Sequence, residues 1–276
     1  MAHRVAIVND KGGVGRTLLV RMWSEFLARY HDLNVLVVDL DHQAIAARRF
    51  GLDMWGKDSQ SPNAFNLFDP KVQAGQAAEL IQPIRWDQER YPWAARIHII
   101  PGHEDLQHVE AYSDGNPTGR VRRALQGVDD AYDVVLFDTR PDFGKRSQAA
   151  WAAADALFGI TPPWRDEMEG IARLLQRVLD FREDLGNPEL DIYGIVINEY
   201  NNPSEHIRRN LAKLERASSG RVWDSCPIPN RRFITECMSE GRPLSSITNS
   251  AHIAALDAVV KPLCNKFLEA THVRTQ

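Results

Sequence analysis

The sequence predicts an α/β fold: a mostly parallel sheet with helices on both faces. Three observations carry that expectation. Continuous apolar runs such as Asn34 to Asp39 and Tyr132 to Phe137 have the character of parallel strands buried on both faces. Segments with apolar residues at helical spacing alternate with those runs, which is the βα pattern of a doubly covered sheet. A glycine-rich turn, Asn9 to Thr17, joins the first strand-like run to the first helix-like one.

Taken in order, Val5 to Val8 is the first strand and Leu18 to Tyr30 the first helix. Asn34 to Asp39 is the second strand, and it ends in acid at the sheet edge where open α/β folds hold their ligands. Residues 51–95 form a family-specific excursion, with a weak helical signal over Lys71 to Gln82. Its tryptophans, Trp55, Trp86 and Trp93, are expected to pack a small satellite core; anchoring a partner is the alternative. Ile97 to Ile100 returns to strand character, and a helix pair follows near Glu104–Tyr112 and Gly119–Val128. Tyr132 to Phe137 is a buried strand closed by Asp138. Ala156 to Ile160 is a short strand stopped by Thr161, Pro162 and Pro163. Met168 to Asp184 carries Ile171, Leu174, Leu175, Val178 and Leu179 at core-facing spacing. Asp191 to Asn198 is the last clear strand. Ala251 to Phe267 is an amphipathic packing helix, to about residue 270, that Pro262 should bend.

The turn reads N-D-K-G-G-V-G-R-T. Gly12, Gly13 and Gly15 let backbone N–H groups point inward, and the following helix presents its positive end to an anion. With Val14, Thr17 and Leu18 they form a phosphate cradle. Thr17 stands where a hydroxyl would meet Mg²⁺. The usual loop is G-x-x-x-x-G-K-[ST]; here Arg16 replaces the lysine, so the charge is kept on a wider, planar fork. Bound nucleotide with slow hydrolysis is the expectation.

Lys11-Gly12-Gly13-Val14-Gly15-Arg16-Thr17 resembles the deviant Walker A loop of the ParA/MinD family of P-loop NTPases. Three further segments carry the resemblance in the family's order. Val37 to Gln43, V-V-D-L-D-H-Q, is similar to its second motif. Asp133 to Pro141, D-V-V-L-F-D-T-R-P, is similar to its Walker B strand. Pro227 to Arg231, with Glu236 and Gly241 to Pro243, resembles its late proline loop and the helix after it. Arg16, His42 and Arg140 depart from the pattern. The resemblance implies that Lys11 crosses a dimer interface to the nucleotide of the other subunit. It implies that Asp41 positions the attacking water, and that Thr17, Asp39 and Asp138 order the metal. Asn198, with the backbone of Pro227 and Pro229, would meet adenine; a simple cap is the alternative for Asn198. Arg140 is expected as a solvated loop residue, with a charge-stabilising arginine as the alternative.

The chain's 276 residues, 43% hydrophobic and 25% charged, fit one large α/β domain. No run reaches the roughly 18 to 20 apolar residues of a membrane span, and the immediate first strand leaves no room for a signal peptide. Nor does it leave room for an added N-terminal DNA-reading module. Cys226, Cys237 and Cys264 lack metal-type spacing and are expected as small buried side chains in a reducing compartment. Glu205 to Arg232 holds seven basic side chains against three acidic ones, a local excess of four in a chain of net charge −4. Arg208, Arg209, Lys213, Arg216, Arg231 and Arg232 are therefore the candidate contacts to a polyanion, double-stranded DNA, held without sequence preference.

These features, with the resemblance, point to a ParA-like ATPase using ATP and Mg²⁺. It would form an ATP-dependent homodimer, bind DNA, and partition or position DNA or another cargo with a ParB-like or cargo-adaptor partner. A cytoplasmic, nucleoid-associated location follows. Two alternatives stand beside it: an ATP-gated DNA-binding module with little hydrolysis because of Arg16, and a MinD-like membrane-associated positioning ATPase. The C-terminal helix has only Lys261 and Lys266 for a lipid-facing polar side, which disfavours the membrane.

Overall fold

The computed structural model describes residues 2–113, 116–201 and 204–273. One eight-stranded sheet runs through it: β1 (His3–Val8), β2 (Val35–Asp39), β3 (Gln82–Pro83), β4 (Ile97–Ile100), β5 (Val134–Asp138), β6 (Ala156–Thr161), β7 (Asp191–Ile197) and β8 (Val222–Trp223). The order is β3-β4-β2-β5-β1-β6-β7-β8, and all pairs are parallel except β3 with β4. Side-chain alternation feeds two cores. Val5, Ile7, Val35, Val37, Val134 and Leu136 face one layer, whereas Ala6, Val8, Leu36, Val38, Val135 and Phe137 face the other. That is why each strand reads as unbroken apolar sequence.

The first layer holds α1 (Arg16–His31), α2 (Ile45–Arg49), α7 (Arg232–Ser239) and α8 (Ser250–Thr271); the second holds α3 (Pro117–Leu125), α4 (Lys145–Ala153), α5 (Arg165–Phe181) and α6 (Glu205–Ala217). Helix α1 starts at the positive-φ Gly15. It ends at Asp32 in the left-handed region, with Arg29 and His31 in its last turn against the negative end of its dipole. Its Trp23 is fully buried between Phe158 (ring centroids 4.9 Å apart) and Phe267 (4.7 Å).

The sequence's expected strands and long helices all appear, and the differences fall on short or proline-bearing segments. Lys71 to Gln82 yields a 3-10 turn at Gln76–Leu80 and the two-residue β3; Glu104–Ala111 is also 3-10. Helix α8 runs through Pro262, which stays exposed. The burial of Val259, Val260 and Leu263 outweighs one missing backbone hydrogen bond. The tryptophans of the excursion build no satellite core. Trp86 and Trp93 join the layer of α1, and Trp55 is half exposed, at 51%. All three cysteines are buried. No helix among the described residues is long and apolar enough to cross a membrane.

A buried clasp ties α1 to the loop after α7. Arg21 lies 4.4 Å from the Trp86 ring centroid and donates to Arg242 O, while Trp86 Nε1 donates to Gly241 O at 2.8 Å. Glu25 accepts the N–H groups of Leu244 (2.8 Å) and Ser245 (2.6 Å). Burial pushes Arg21 down to about 10 and Glu25 upward; each opposes the other's shift. Glu25→Ala should therefore cost about 3–5 kcal/mol, because it strips two buried N–H groups and leaves Arg21 unbalanced. Urea unfolding at neutral pH measures that loss.

Candidate functional site

Strand β1 delivers the chain to Asn9, which is buried. Its amide donates to Ile160 O at 2.5 Å and its oxygen accepts the Lys11 N–H at 2.7 Å, so the turn is pinned to β6 before the glycines begin. Gly13 and Gly15 have φ of +77° and +108°, which L side chains rarely adopt. A Cβ on Gly12 or Gly13 would meet no atom within 4 Å; one on Gly15 would lie 2.4 Å from Asn198 Nδ2. The turn thus opens into a cavity of about 310 Å³. Gly13 to Leu18, Asp41, Arg49, Thr139 and Asn198 line it, and Thr235 and Met238 of α7 form part of its wall. The first N–H groups of α1 have no intrahelical acceptor.

Under this mouth the β2–β5 register sets Asp39 beside Asp138. Both are buried. Asp39 accepts N–H groups from Asp41 (3.0 Å) and Ala47 (3.1 Å), one on each oxygen. Asp138 accepts the Thr17 hydroxyl at 2.7 Å. Burial drives both carboxyls up: Asp39 well above its ordinary value, with Asp138 and Asp41 adding to it, and Asp138 to about 6, with Thr17 and Arg16 opposing. Among the described residues no cluster of three or more His, Cys, Asp or Glu could hold a metal unaided. Mg²⁺ does not need one, since it commonly takes one or two protein oxygens and fills its octahedron with phosphate and water. Thr17 and Asp138 fit that requirement, and a cation would relieve the buried carboxylate. Asp39 accepts one N–H on each oxygen, which leaves a further lone pair on each. The open glycines and free helix N-terminus likewise fit a phosphate chain.

The three departures from the family pattern meet here. Arg16 donates through Nε to Thr139 O (2.9 Å) and through Nη1 to Asn9 O (2.9 Å) and Lys11 O (2.7 Å). It braces the turn, and Nη2 holds its remaining donors. Arg140 is no solvated loop residue: Asp41 (3.3 Å), Asp142 (2.9 Å) and the His42 ring hold it, because the turn after β5 folds back over the end of β2. Burial and then Arg140 lower the His42 pKa.

The other expected residues are placed as follows. Lys11 and Gly12 are exposed and outside the cavity lining, and Lys11 has no ion pair among the described residues. Asn198 donates to Val14 O at 2.8 Å from the end of β7. Pro227 and Pro229 flank Ile228, whose N–H donates to Ile197 O at 2.8 Å; neither proline lines the cavity. Arg208, Arg209, Lys213 and Arg216 are exposed on α6, over the buried Asn210, Leu211 and Leu214. Arg209 reaches Glu205 at 4.0 Å, Lys213 lies with Glu169 along a groove between α5 and α6, and Arg232 pairs with Glu236 at 2.7 Å. Arg208, Arg216 and Arg231 make no ion pair among the described residues, and Arg231 is exposed. The sequence motifs do not flag Arg49, Thr139, Thr235 or Met238. The one available signal was the arginine pair Arg48-Arg49 following the second motif.

The acid pair makes a pH prediction. Asp138 has a folded pKa above its unfolded one, so its contribution to stability is complete below pH 3.8 and is lost as pH rises through 6. Most of the loss across neutrality falls between pH 5 and pH 8 and is on the order of 1 kcal/mol. Urea unfolding of nucleotide-free protein at those two pH values should show that loss, and Asp138→Asn should change it, since the buried acid pair titrates as a unit.

The family model described as AAA domain matches residues 2–192. The chain is 29% identical over 246 residues to the chromosome-partitioning ATPase Soj of Thermus thermophilus, covering 88% of this chain and 87% of Soj. In structure it is similar to McdA of Cyanothece in complex with ATP, with a TM-score of 0.80 and 17% identity, covering 100% of this chain and 98% of McdA. It is also similar to the septum site-determining protein MinD of Pyrococcus horikoshii, complexed with Mg-ADP. There the TM-score is 0.69 and the identity 21%, over 95% of this chain and 96% of MinD. With its glycine turn, its paired strand-end acids and these relatives, the chain belongs to the ParA/MinD family of P-loop ATPases.

Proposed function

We propose that this protein is a ParA-like positioning ATPase that binds ATP with Mg²⁺ and couples the nucleotide to dimerisation and to DNA. One observation carries the proposal. The glycine turn at the start of α1 borders a cavity lined by Thr17, whose hydroxyl donates to the buried Asp138. The McdA–ATP and MinD–Mg-ADP complexes share this fold. A bound nucleotide with Mg²⁺ supplies the cleavable phosphoanhydride and its neutralising charge. The chain's own groups do the rest: the turn positions phosphates, Asp41 orients water, and Lys11, exposed and uncommitted, reaches the nucleotide of a second subunit. Asn198, which lines the cavity, and the backbone of Pro227 and Pro229 are the candidate contacts to the base. Arg208, Arg209, Lys213, Arg216, Arg231 and Arg232 contact DNA phosphates. A ParB-like or cargo-adaptor protein then triggers turnover, in the cytoplasm on the nucleoid. Soj, a chromosome-partitioning ATPase, supports the cargo class.

Hydrolysis is slow in this proposal. Arg16 has three donors on backbone carbonyls, and Arg140 holds the carboxylate of Asp41. The same two contacts favour the reading in which the protein is chiefly an ATP-gated DNA binder. A membrane-cycling role has less support, because α8 buries Leu256, Val259, Val260, Leu263 and Phe267 in the core.

Calorimetry with ATP and Mg²⁺ should show binding, and gel filtration should show a dimer with ATP but not with ADP; no uptake of ATP overturns the proposal. Single-turnover assays separate the two readings: a slow wild-type rate raised by Arg16→Lys indicates the gated binder. The combined Arg208→Ala, Arg209→Ala and Lys213→Ala variant should bind duplex DNA more weakly. Its salt slope should fall by roughly 2 to 3, near 0.9 for each phosphate no longer neutralised. An unchanged slope would remove α6 as the DNA face.

A further inference from the structure

Arg49 is the last residue of α2. Its position is fixed from behind: Ala46 and Ala47 are fully buried, and the Ala47 N–H is bonded to Asp39. The side chain lines the 310 Å³ cavity alongside Thr17, Leu18 and Asp41. Together with Ile45 and Met238 it also walls a second hollow of about 300 Å³. It is half-buried, and its guanidinium makes no hydrogen bond and no ion pair among the described residues. This sets it apart from the other arginines around the site. Arg16 has three carbonyl acceptors, Arg140 has two carboxylates, and Arg21 is balanced by Glu25. Five donors held partly out of water without an acceptor are unfavourable, and an arriving anion reverses that. Burial lowers the pKa of Arg49, and Asp138 is the chief charge opposing the shift. The position that carries a lysine in the usual loop holds a side chain already committed to the turn. Among the described residues lining the cavity, Arg49 is therefore the cation without a partner, and it comes from α2 rather than from the turn.

We propose that Arg49 is a phosphate-binding residue of this site, giving the polyphosphate of a bound nucleotide the charge-assisted hydrogen bonds that a lysine at position 16 would give. This rests on the nucleotide-binding proposal above and adds a residue of this chain to it. The contact is to phosphate oxygens, so its contribution grows with phosphate number and is independent of the base.

Titration calorimetry with ATP, ADP and adenosine, each with Mg²⁺, on the wild type, Arg49→Ala and Arg49→Lys tests the assignment. Arg49→Ala should weaken ATP about tenfold and adenosine less than twofold, with ADP between them; Arg49→Lys should stay within about threefold of the wild type for ATP. Thermal melts of the nucleotide-free variants check the fold. If Arg49→Ala does not fold, Arg49→Gln, which keeps the stem, takes its place against Arg49→Lys. Equal losses for adenosine and ATP, or no loss for ATP, overturn the proposal while leaving the nucleotide site intact. A wild type that binds none of the three overturns both.

Discussion

Two carboxylates held side by side out of water are the constraint on which this site depends. The register of β2 against β5 makes Asp39 and Asp138 neighbours at the strand ends, and both are buried. Like charges so placed cannot both ionise without compensation, so the surroundings are built to supply it. Backbone N–H groups from Asp41 and Ala47 take Asp39, the Thr17 hydroxyl takes Asp138, and three arginines stand around the mouth. A divalent cation would relieve the same stress. The electrostatics that strain the acid pair at neutral pH are those that favour a divalent cation beside it.

Arginine at position 16 changes how the turn is held. A lysine has a compact ammonium that can swing toward phosphate; the planar guanidinium binds three carbonyls at fixed angles. The turn gains a brace, and the guanidinium is bonded toward Thr139. Asp41 meets a similar restraint, with Arg140 on its oxygen and His42 beside it. All three departures from the family pattern thus act on the turn or on Asp41. They leave the glycines, Thr17 and Asp138 untouched.

How much of this is legible in the sequence follows from what each feature depends on. Strands buried on both faces write their burial as continuous apolar runs, so β1, β2, β5, β6 and β7 can be read directly. The turn can be read because glycines at positive φ have few substitutes. The two-residue strands β3 and β8 depend on their neighbours alone and leave no periodicity. Arg140 misleads as a sequence feature because its partners, Asp41 and His42, lie about a hundred positions away and meet it only across the sheet edge. Trp86 misleads for a like reason: its place in the core is set by Arg21 and by the carbonyl of Gly241, neither near it in sequence. Arg49 leaves only a charge pair on a short helix, and its significance is the absence of a partner, which no sequence pattern encodes.

The buried clasp gives the site its mechanical context. The N-terminus of α1 forms the phosphate end of the cavity, and Thr235 and Met238 of α7 form part of its wall. Two turns along α1, Arg21 and Glu25 are bonded to the segment Arg242–Ser245 that follows α7, and Arg21 also touches Met238 Sδ at 3.7 Å. The excursion enters the same knot through Trp86. A shift of α7 as ligand fills the cavity therefore cannot leave α1 and residues 84–86 unaffected, because Glu25 and Arg21 are too deeply buried to exchange their partners for water. At the end of α2, Ala46 and Ala47 are anchored, whereas the Arg49 side chain has no hydrogen bond or ion pair among the described residues. A ligand entering here meets a rigid cradle on one side and a free cation on the other, so adjustment to its charge falls chiefly on Arg49.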